Sequence, residues 1–420
     1  MQKKKHFVFA VMGSHGDFLP CFQLAVSLKK RGYQVSFFTN DLFSKYLSDS
    51  SINFYSLLSN EVSLECRSKA VWVEDSDLIF YKYCIEPNLK TLRTFIAKMK
   101  DEEIVVLYRE STIFIADIAT EDNKNIQALY VHLSPHSFQS VANNPLFKDK
   151  AKKSISLQAQ KNIWNFYSEK KFGHYAIPSL NKVRQELGLK IITDFHDYLK
   201  NDSRVHLTLF PKWLAKKEFD WPKHIIFGDF ILSAISNSPL ENNVKKFLLS
   251  GEPPILITMG SFIEGNLVAN EKYLFDLSEK LAKKLGLRFI FLSDTMQKKI
   301  HKAQDSFLVT KRLSLQEVLP KVKAFIHHGG IGTTAHSLSI GIPQLSIPQG
   351  HDQFTNAHLM EGLGVGLEIK FRHLNEENYE SAIKKLIADK KIEKNCIKFA
   401  NKFKTALSAD DITDKILSKI

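Results

Sequence analysis

The stretch AFIHHGGIGTTAHSLSIGIPQLSI, residues 324–347, decides the fold. It opens with a short β run, Ala324 to His327, and turns through the small residues around Gly329 and Gly330. It continues as a helix from about Gly332 and closes on a second strand, Gln344 to Ile347. Strand, Gly-rich turn, helix and strand in that order make one unit of a parallel sheet. The same alternation runs upstream to Pro253-Pro254: a β run at Ile255 to Met259, then Gly260-Ser261, a helix over Tyr273 to Leu285, a strand at Arg288 to Leu292 and a helix around Leu315 to Leu319.

A separate series opens the chain. His6 to Met12 reads as a buried strand, a helix carrying Leu24 and Leu28 ends near Gly32, and Gln34 to Phe38 is the next strand. Ile104 to Leu107, Leu129 to Leu133 and Val205 to Leu209 continue it. The fold class is therefore α/β, with two doubly wound domains in tandem. The expected boundaries are residues 1–235, a linker at 236–252 marked by Ser236, Asn237, Ser238, Pro239 and Gly251, a second domain at 253–400, and a tail at 401–420. In that tail Ile412, Ile416, Leu417 and Ile420 fall at helical spacing, which predicts a helix packing back on the first domain. Residues 145–188, rich in Lys and aromatics, read as helices inserted in the first domain.

Composition narrows the class. The 420 residues are 44% apolar and 25% charged, which excludes a disordered or low-complexity chain. Cys21, Cys66, Cys84 and Cys396 show no paired spacing, so neither a zinc site nor a disulfide framework is expected and a reducing, cytoplasmic location is. Lys3 to Lys5 precede an apolar run too short for a signal peptide, and no stretch approaches the roughly 18–20 apolar residues that span a bilayer. The net charge of +13 is spread evenly over both halves, unlike a nucleic-acid footprint. It leaves open an attraction to phosphorylated substrates, or peripheral contact with the inner face of a membrane.

The chemistry is densest at His328 to Thr334. Small residues let the backbone approach a ligand, and the free N–H groups at a helix start, with the hydroxyls of Thr333 and Thr334, can hold a phosphate. No Lys follows, so this is not an ATP-binding P-loop. Gly330-x-Gly332-x-x-Ala335 also fits a dinucleotide fingerprint, with Asp352 near the distance of a ribose-binding acid. That fingerprint belongs on the first turn of its unit, whereas two strands of the second domain are expected before this one. A purely structural Gly-rich turn is the third reading.

Phe325 to Gly366 (FIHHGGIGTTAHSLSIGIPQLSIPQGHDQFTNAHLMEGLGVG) resembles the donor-binding signature of the family-one nucleotide-sugar glycosyltransferases. Gly13-Ser14-His15-Gly16-Asp17-Phe18-Leu19-Pro20 is similar to the amino-terminal loop of that family's sterol, glycopeptide and rhamnosyl branches. Val131 to Pro135 with Phe138 and Ser140, and Leu209 to Trp213 with Asp220-Trp221-Pro222, look like the bacterial branch of rhamnolipid-type rhamnosyltransferases. The resemblance implies two Rossmann-like domains facing each other across a cleft, the GT-B arrangement.

By that resemblance His328, Gly330, Gly332, Thr333 and Thr334 hold the donor's diphosphate, with Gly260 and Ser261 as a further phosphate contact. Asp352 and Gln353 grip the sugar hydroxyls. Asp17 is expected to take the acceptor proton, with His15 as the competing base and capping of the following helix as the alternative reading of Asp17. Two positions depart from the family. Arg312, followed by Leu313 on the donor side, stands where many relatives stack the nucleobase on Trp. His336 stands where relatives often use Glu on the ribose hydroxyls, and it reads equally as a helix-surface residue. Both changes loosen the case for a uridine sugar and leave a deoxythymidine sugar open. The expected activity is inverting hexosyl transfer, of glucose or rhamnose type, from a UDP- or dTDP-sugar to a hydroxyl of a hydrophobic small molecule or lipid. No cofactor, obligatory metal or nucleic-acid partner is expected. The rivals are a nicotinamide oxidoreductase and a catalytically inactive partner subunit of the same family.

Overall fold

The computed structural model describes residues 5–69, 73–99, 102–141, 155–199, 204–232, 240–260, 266–297, 306–311 and 313–420. It holds two sheets. The first contains β1 (Lys5–Ala10), β2 (Gln34–Asn40), β3 (Asn53–Leu58), β4 (Glu103–Tyr108), β5 (Ile126–His132), β6 (Val205–Thr208) and β7 (Ile225–Phe227), in the spatial order β3-β2-β1-β4-β5-β6-β7. The second contains β8 (Ile255–Thr258), β9 (Phe289–Leu292), β10 (Phe307–Thr310), β11 (Ala324–His327), β12 (Gln344–Ser346) and β13 (Gly366–Glu368), ordered β10-β9-β8-β11-β12-β13. Every pairing is parallel, as β1 with β4 and β8 with β11.

In an open parallel sheet the strand order reverses at one point, and the loops leaving the strands there diverge and open a crevice for ligand. The switch points fall between β1 and β4 and between β8 and β11. The loop after β1 carries Gly13 and Ser14. The loops after β8 and β11 carry Gly260 and His328 to Gly330. Topology alone therefore delivers the sequence motifs to the places where α/β sheets bind ligands.

The central strands are solid apolar runs because both faces are covered. Phe7, Val8, Phe9 and Ala10 of β1 and Ala324, Phe325 and Ile326 of β11 are buried. The helix His15–Lys30 lies behind the first switch point, with Phe18 stacked on Phe43 at a ring separation of 4.1 Å.

Contacts divide the chain into one unit of residues 1–231 with 407–420 and a second of residues 232–406. The last helix, Ala409–Leu417, belongs to the first unit and contacts the helix His15–Lys30. It buries Ile412 and Ile416, and Arg31 bridges to Asp410 and Asp414 at 2.8 Å each. The linker reading needs correction over its second half. Residues 233–239 lie outside the described residues, but Asn242–Leu249 is a helix, because Val244, Phe247 and Leu248 form an apolar stripe that joins the core of the second unit. Helices Leu157–Ser168 and His174–Glu186 occupy the inserted region of the first domain.

Candidate functional site

In the first unit the site is built on the start of the helix His15–Lys30. Ser14 caps it, its Oγ accepting from the Gly16 N–H at 3.1 Å. Asp17 closes the capping box, its Oδ2 accepting from the Ser14 N–H at 2.9 Å and from the Ser14 hydroxyl at 3.1 Å. This fold-back works only because residue 13 is glycine. Its φ is +141°, and a Cβ there would stand 2.4 Å from Asp17 Oδ2. Asn40, at the end of β2, steadies the loop by donating to the Gly13 carbonyl at 3.0 Å.

The other carboxylate oxygen of Asp17 has a partner that the sequence reading did not assign. Arg109 follows β4 across the switch point, donating from Nη2 to Asp17 Oδ1 at 3.0 Å and from Nη1 to the Val131 carbonyl at 2.9 Å. Its side chain is 11% exposed against 31% for Asp17. The acid that resembles the family's base is thus also a cap and one half of a largely buried ion pair. His15 is half-buried beside it, its ring edge-on to Phe43 at 5.1 Å.

In the second unit, β11 ends in two histidines with different duties. His327 is fully buried. Its Nδ1 accepts from the Gly329 N–H at 3.0 Å, so Nε2 carries the proton and donates to Gln344 Oε1 at 2.9 Å. Burial pushes its pKa down to about 3, which makes it a neutral brace. His328 points the other way, into a slot between two glycines. A Cβ on Gly260 would lie 2.8 Å from its Cε1, and one on Gly330 would lie 2.5 Å from its Nε2. Burial pushes His328 down to about 4, so its ring is neutral at physiological pH.

The helix that follows, Ile331–Ile340, starts at Gly330 with no side-chain cap, so its first N–H groups are left for a ligand. Gly332 is exposed and Thr333 half-buried, while Thr334 is enclosed and its hydroxyl has no partner among the described residues. His336 is buried in the second turn, so it is not a helix-surface residue. Leu313 is half-buried against the apolar core of Val244, Phe247 and Leu308, where its side chain serves packing. Ser261 and Arg312 lie outside the described residues.

Asp352 and Gln353 stand at the start of the helix Gln353–Leu363. Gln353 Oε1 accepts from the Gln349 N–H at 2.9 Å, which leaves its amide nitrogen as the donor toward a ligand. Gln349 Oε1 in turn accepts from Asn270 at 2.7 Å. Next to Asn270, on the helix Asn266–Leu285, Glu271 is buried beside Ser293. Burial raises its pKa from 4.5 to about 7. An acid raised in the folded state contributes stability that is fully present below pH 4.5 and lost as pH rises through 7. Glu271→Gln is therefore expected to raise the melting temperature at about pH 8 and to change it little at about pH 5, as thermal melts at the two pH values would show.

Two all-parallel sheets, the second with an uncapped helix start at its switch point, define a doubly wound α/β protein. A family model for the C-terminal domain of erythromycin biosynthesis protein CIII-like proteins matches residues 289–418. The sterol 3-beta-glucosyltransferase of Vanderwaltozyma polyspora is 23% identical over 429 residues, covering 94% of this chain and 33% of that protein. The chain thus spans about a third of the length of that relative. The NDP-glycosyltransferase YjiC of Bacillus licheniformis is 21% identical over 437 residues, covering 98% of this chain and 97% of that one. Among solved structures, the glycosyltransferase VinC in complex with dTDP superposes with a TM-score of 0.69 at 13% identity, over 98% of each chain. The fold is GT-B, and over nearly its whole length the chain is similar to nucleotide-sugar glycosyltransferases. The nicotinamide reading loses its footing, because the Gly-rich turn is not the first βα turn of its unit: among the described residues β8, β9 and β10 precede it, one strand more than expected from the sequence.

Proposed function

We propose that the protein is an inverting glycosyltransferase that moves a hexosyl group from a nucleotide diphosphate sugar to a hydroxyl of a hydrophobic small molecule or lipid. The observation that carries this reading is the slot at the second switch point, where His328 is wedged between Gly260 and Gly330 beside an uncapped helix start. In the transfer, the acceptor oxygen forms a bond to the anomeric carbon as the bond from that carbon to the diphosphate breaks. The configuration inverts, and the acceptor proton passes to Asp17. Charge grows on the departing diphosphate, where aimed N–H groups and the dipole of the helix Ile331–Ile340 stabilise it. Asp352 and the amide nitrogen of Gln353 hold the sugar hydroxyls. No described helix is long and apolar enough to cross a membrane, so a lipid acceptor would be met at a surface.

The test is a panel of UDP- and dTDP-sugars, read by nucleotide release with and without hydrophobic acceptors. Acceptor-dependent release supports the reading. Absence of release with every donor and acceptor would favour an inactive partner subunit. Within the panel, Arg312 and His336 in place of Trp and Glu predict weak discrimination between the two bases or a preference for dTDP, the nucleotide bound in VinC. A strict preference for UDP, a hundredfold or about 2.7 kcal/mol, overturns that expectation.

A further inference from the structure

Asn356 lies one turn into the helix Gln353–Leu363 and is fully buried. Its Nδ2 donates to the Gly329 carbonyl at 3.0 Å and to Asp352 Oδ2 at 2.7 Å. Both partners are acceptors only, which fixes the orientation of the amide. One side chain thus ties the turn of the diphosphate cradle to the acid of the sugar grip, 23 positions further along the chain.

The two ends are also packed directly together. Gly329 has φ +89°, and a Cβ there would stand 3.0 Å from the Gln353 carbonyl oxygen, so turn and helix start meet backbone to backbone. The Gly329 N–H is held by His327 and its carbonyl by Asn356. Because the peptide is planar and trans, holding that carbonyl also sets the direction of the Gly330 N–H. The second bond of Asn356 selects one rotamer of Asp352 and leaves the other carboxylate oxygen for a ligand. Reach explains the choice of residue: position i+4 lies above position i on a helix face, and a short amide folds back from there to the helix start.

We propose that Asn356 is a positioning residue that holds the diphosphate cradle and the sugar grip in one register, and so sets selectivity among donor sugars. The proposal rests on the reading of Asp352 as a sugar ligand. Positioning errors near 1 Å cost about a hundredfold in rate. Asn356→Ala should lower kcat/KM for the preferred donor by about ten- to a hundredfold. It should also shrink the ratio between dTDP-glucose and dTDP-galactose at least about fivefold, with affinity for dTDP alone changing less than the sugar-dependent terms. Asn356→Asp separates positioning from volume. It has the same size but sets a second carboxylate against Asp352 and a lone pair against the Gly329 carbonyl, so it should be worse than Ala. A residue needed only to fill space would give the opposite order.

The experiment measures kcat and KM for both donors, dTDP binding by calorimetry and the melting temperature, in the full chain and in the variants Asn356→Ala, Asn356→Asp and Asp352→Ala. If Asn356→Ala does not fold, Asn356→Ser, which keeps one donor, carries the comparison. Loss of selectivity in both the Asp352 and the Asn356 variants supports the proposal. An altered ratio in Asp352→Ala with an unaltered ratio in Asn356→Ala overturns the proposal alone. An unaltered ratio in Asp352→Ala overturns the assignment of Asp352 to the sugar, and the proposal with it.

Discussion

Asp17→Asn is expected to abolish transfer and, at the same time, to lower the melting temperature of the protein. The first effect follows from the proposed role as base: general-base catalysis is typically worth ~10²–10⁴-fold, and an amide cannot accept the proton. The second follows from Arg109. Its guanidinium is largely buried, its Nε has no partner among the described residues, and Asp17 supplies the opposing charge. Neutralising one partner of a fully buried pair costs about 3–5 kcal/mol, and an exposed pair contributes about 0–1. With Asp17 about one-third exposed, a cost on the order of 2 kcal/mol and a fall of several degrees are expected. An Asn at position 17 can still accept from the Ser14 N–H, so the cap itself survives. The double variant Asp17→Asn, Arg109→Gln removes the stranded charge and should recover most of the melting temperature with none of the activity. If Asp17→Asn retains more than a tenth of wild-type turnover while His15→Ala does not, the base assignment passes to His15.

Local motifs are written in a sequence, whereas contacts between distant segments appear only in the fold. The signature at 324–347 and the loop at 13–20 are legible because each is local: a strand end, small residues and a helix start lie within about ten positions. Four strands were not legible, and they are β3, β7, β10 and β13, the edges of the two sheets. Central strands are covered on both faces and read as unbroken apolar runs. An edge strand is flanked on one side only, so β3 keeps exposed and half-exposed positions, β7 is half-buried throughout, and β13 is the three residues Gly-Leu-Glu.

Arg109 is 92 positions from Asp17, and nothing in Tyr-Arg-Glu-Ser marks it as a partner until β4 is placed beside β1. Asn356 had a local clue, since it stands four residues after Asp352 within a recognised motif. Its second bond, to the Gly329 carbonyl, exists only because two backbones approach at a glycine with positive φ. Helix periodicity does not say which face of the Ile331–Ile340 helix is covered, so the sequence admits two readings of His336, and the structure buries it.

Gly330→Ala is expected to disable the donor site as completely as removal of His328. The added Cβ would stand 2.5 Å from His328 Nε2, closer than side chains approach without displacement, and the ring already lies close against Gly260. The imidazole must leave the slot, and with it goes the neutral N–H or lone pair that it presents there. Loss of one such contact to developing charge costs ~2.7–4 kcal/mol, or roughly 10²–10³-fold in kcat. His328→Ala should show that loss directly, with donor binding weakened alongside it. The two substitutions act on one group, so their effects should not add: the double variant Gly330→Ala, His328→Ala, having no ring to displace, should be no worse than His328→Ala. The backbone at residue 330 tolerates alanine, since its φ of −60° and ψ of 140° lie in the extended region open to any side chain. Melting temperature is therefore expected to change little in comparison with kcat. Additive losses in the double variant, or kinetics unchanged by His328→Ala at saturating donor with the fold intact, would show that the slot does not act through the histidine and that the helix start alone holds the diphosphate.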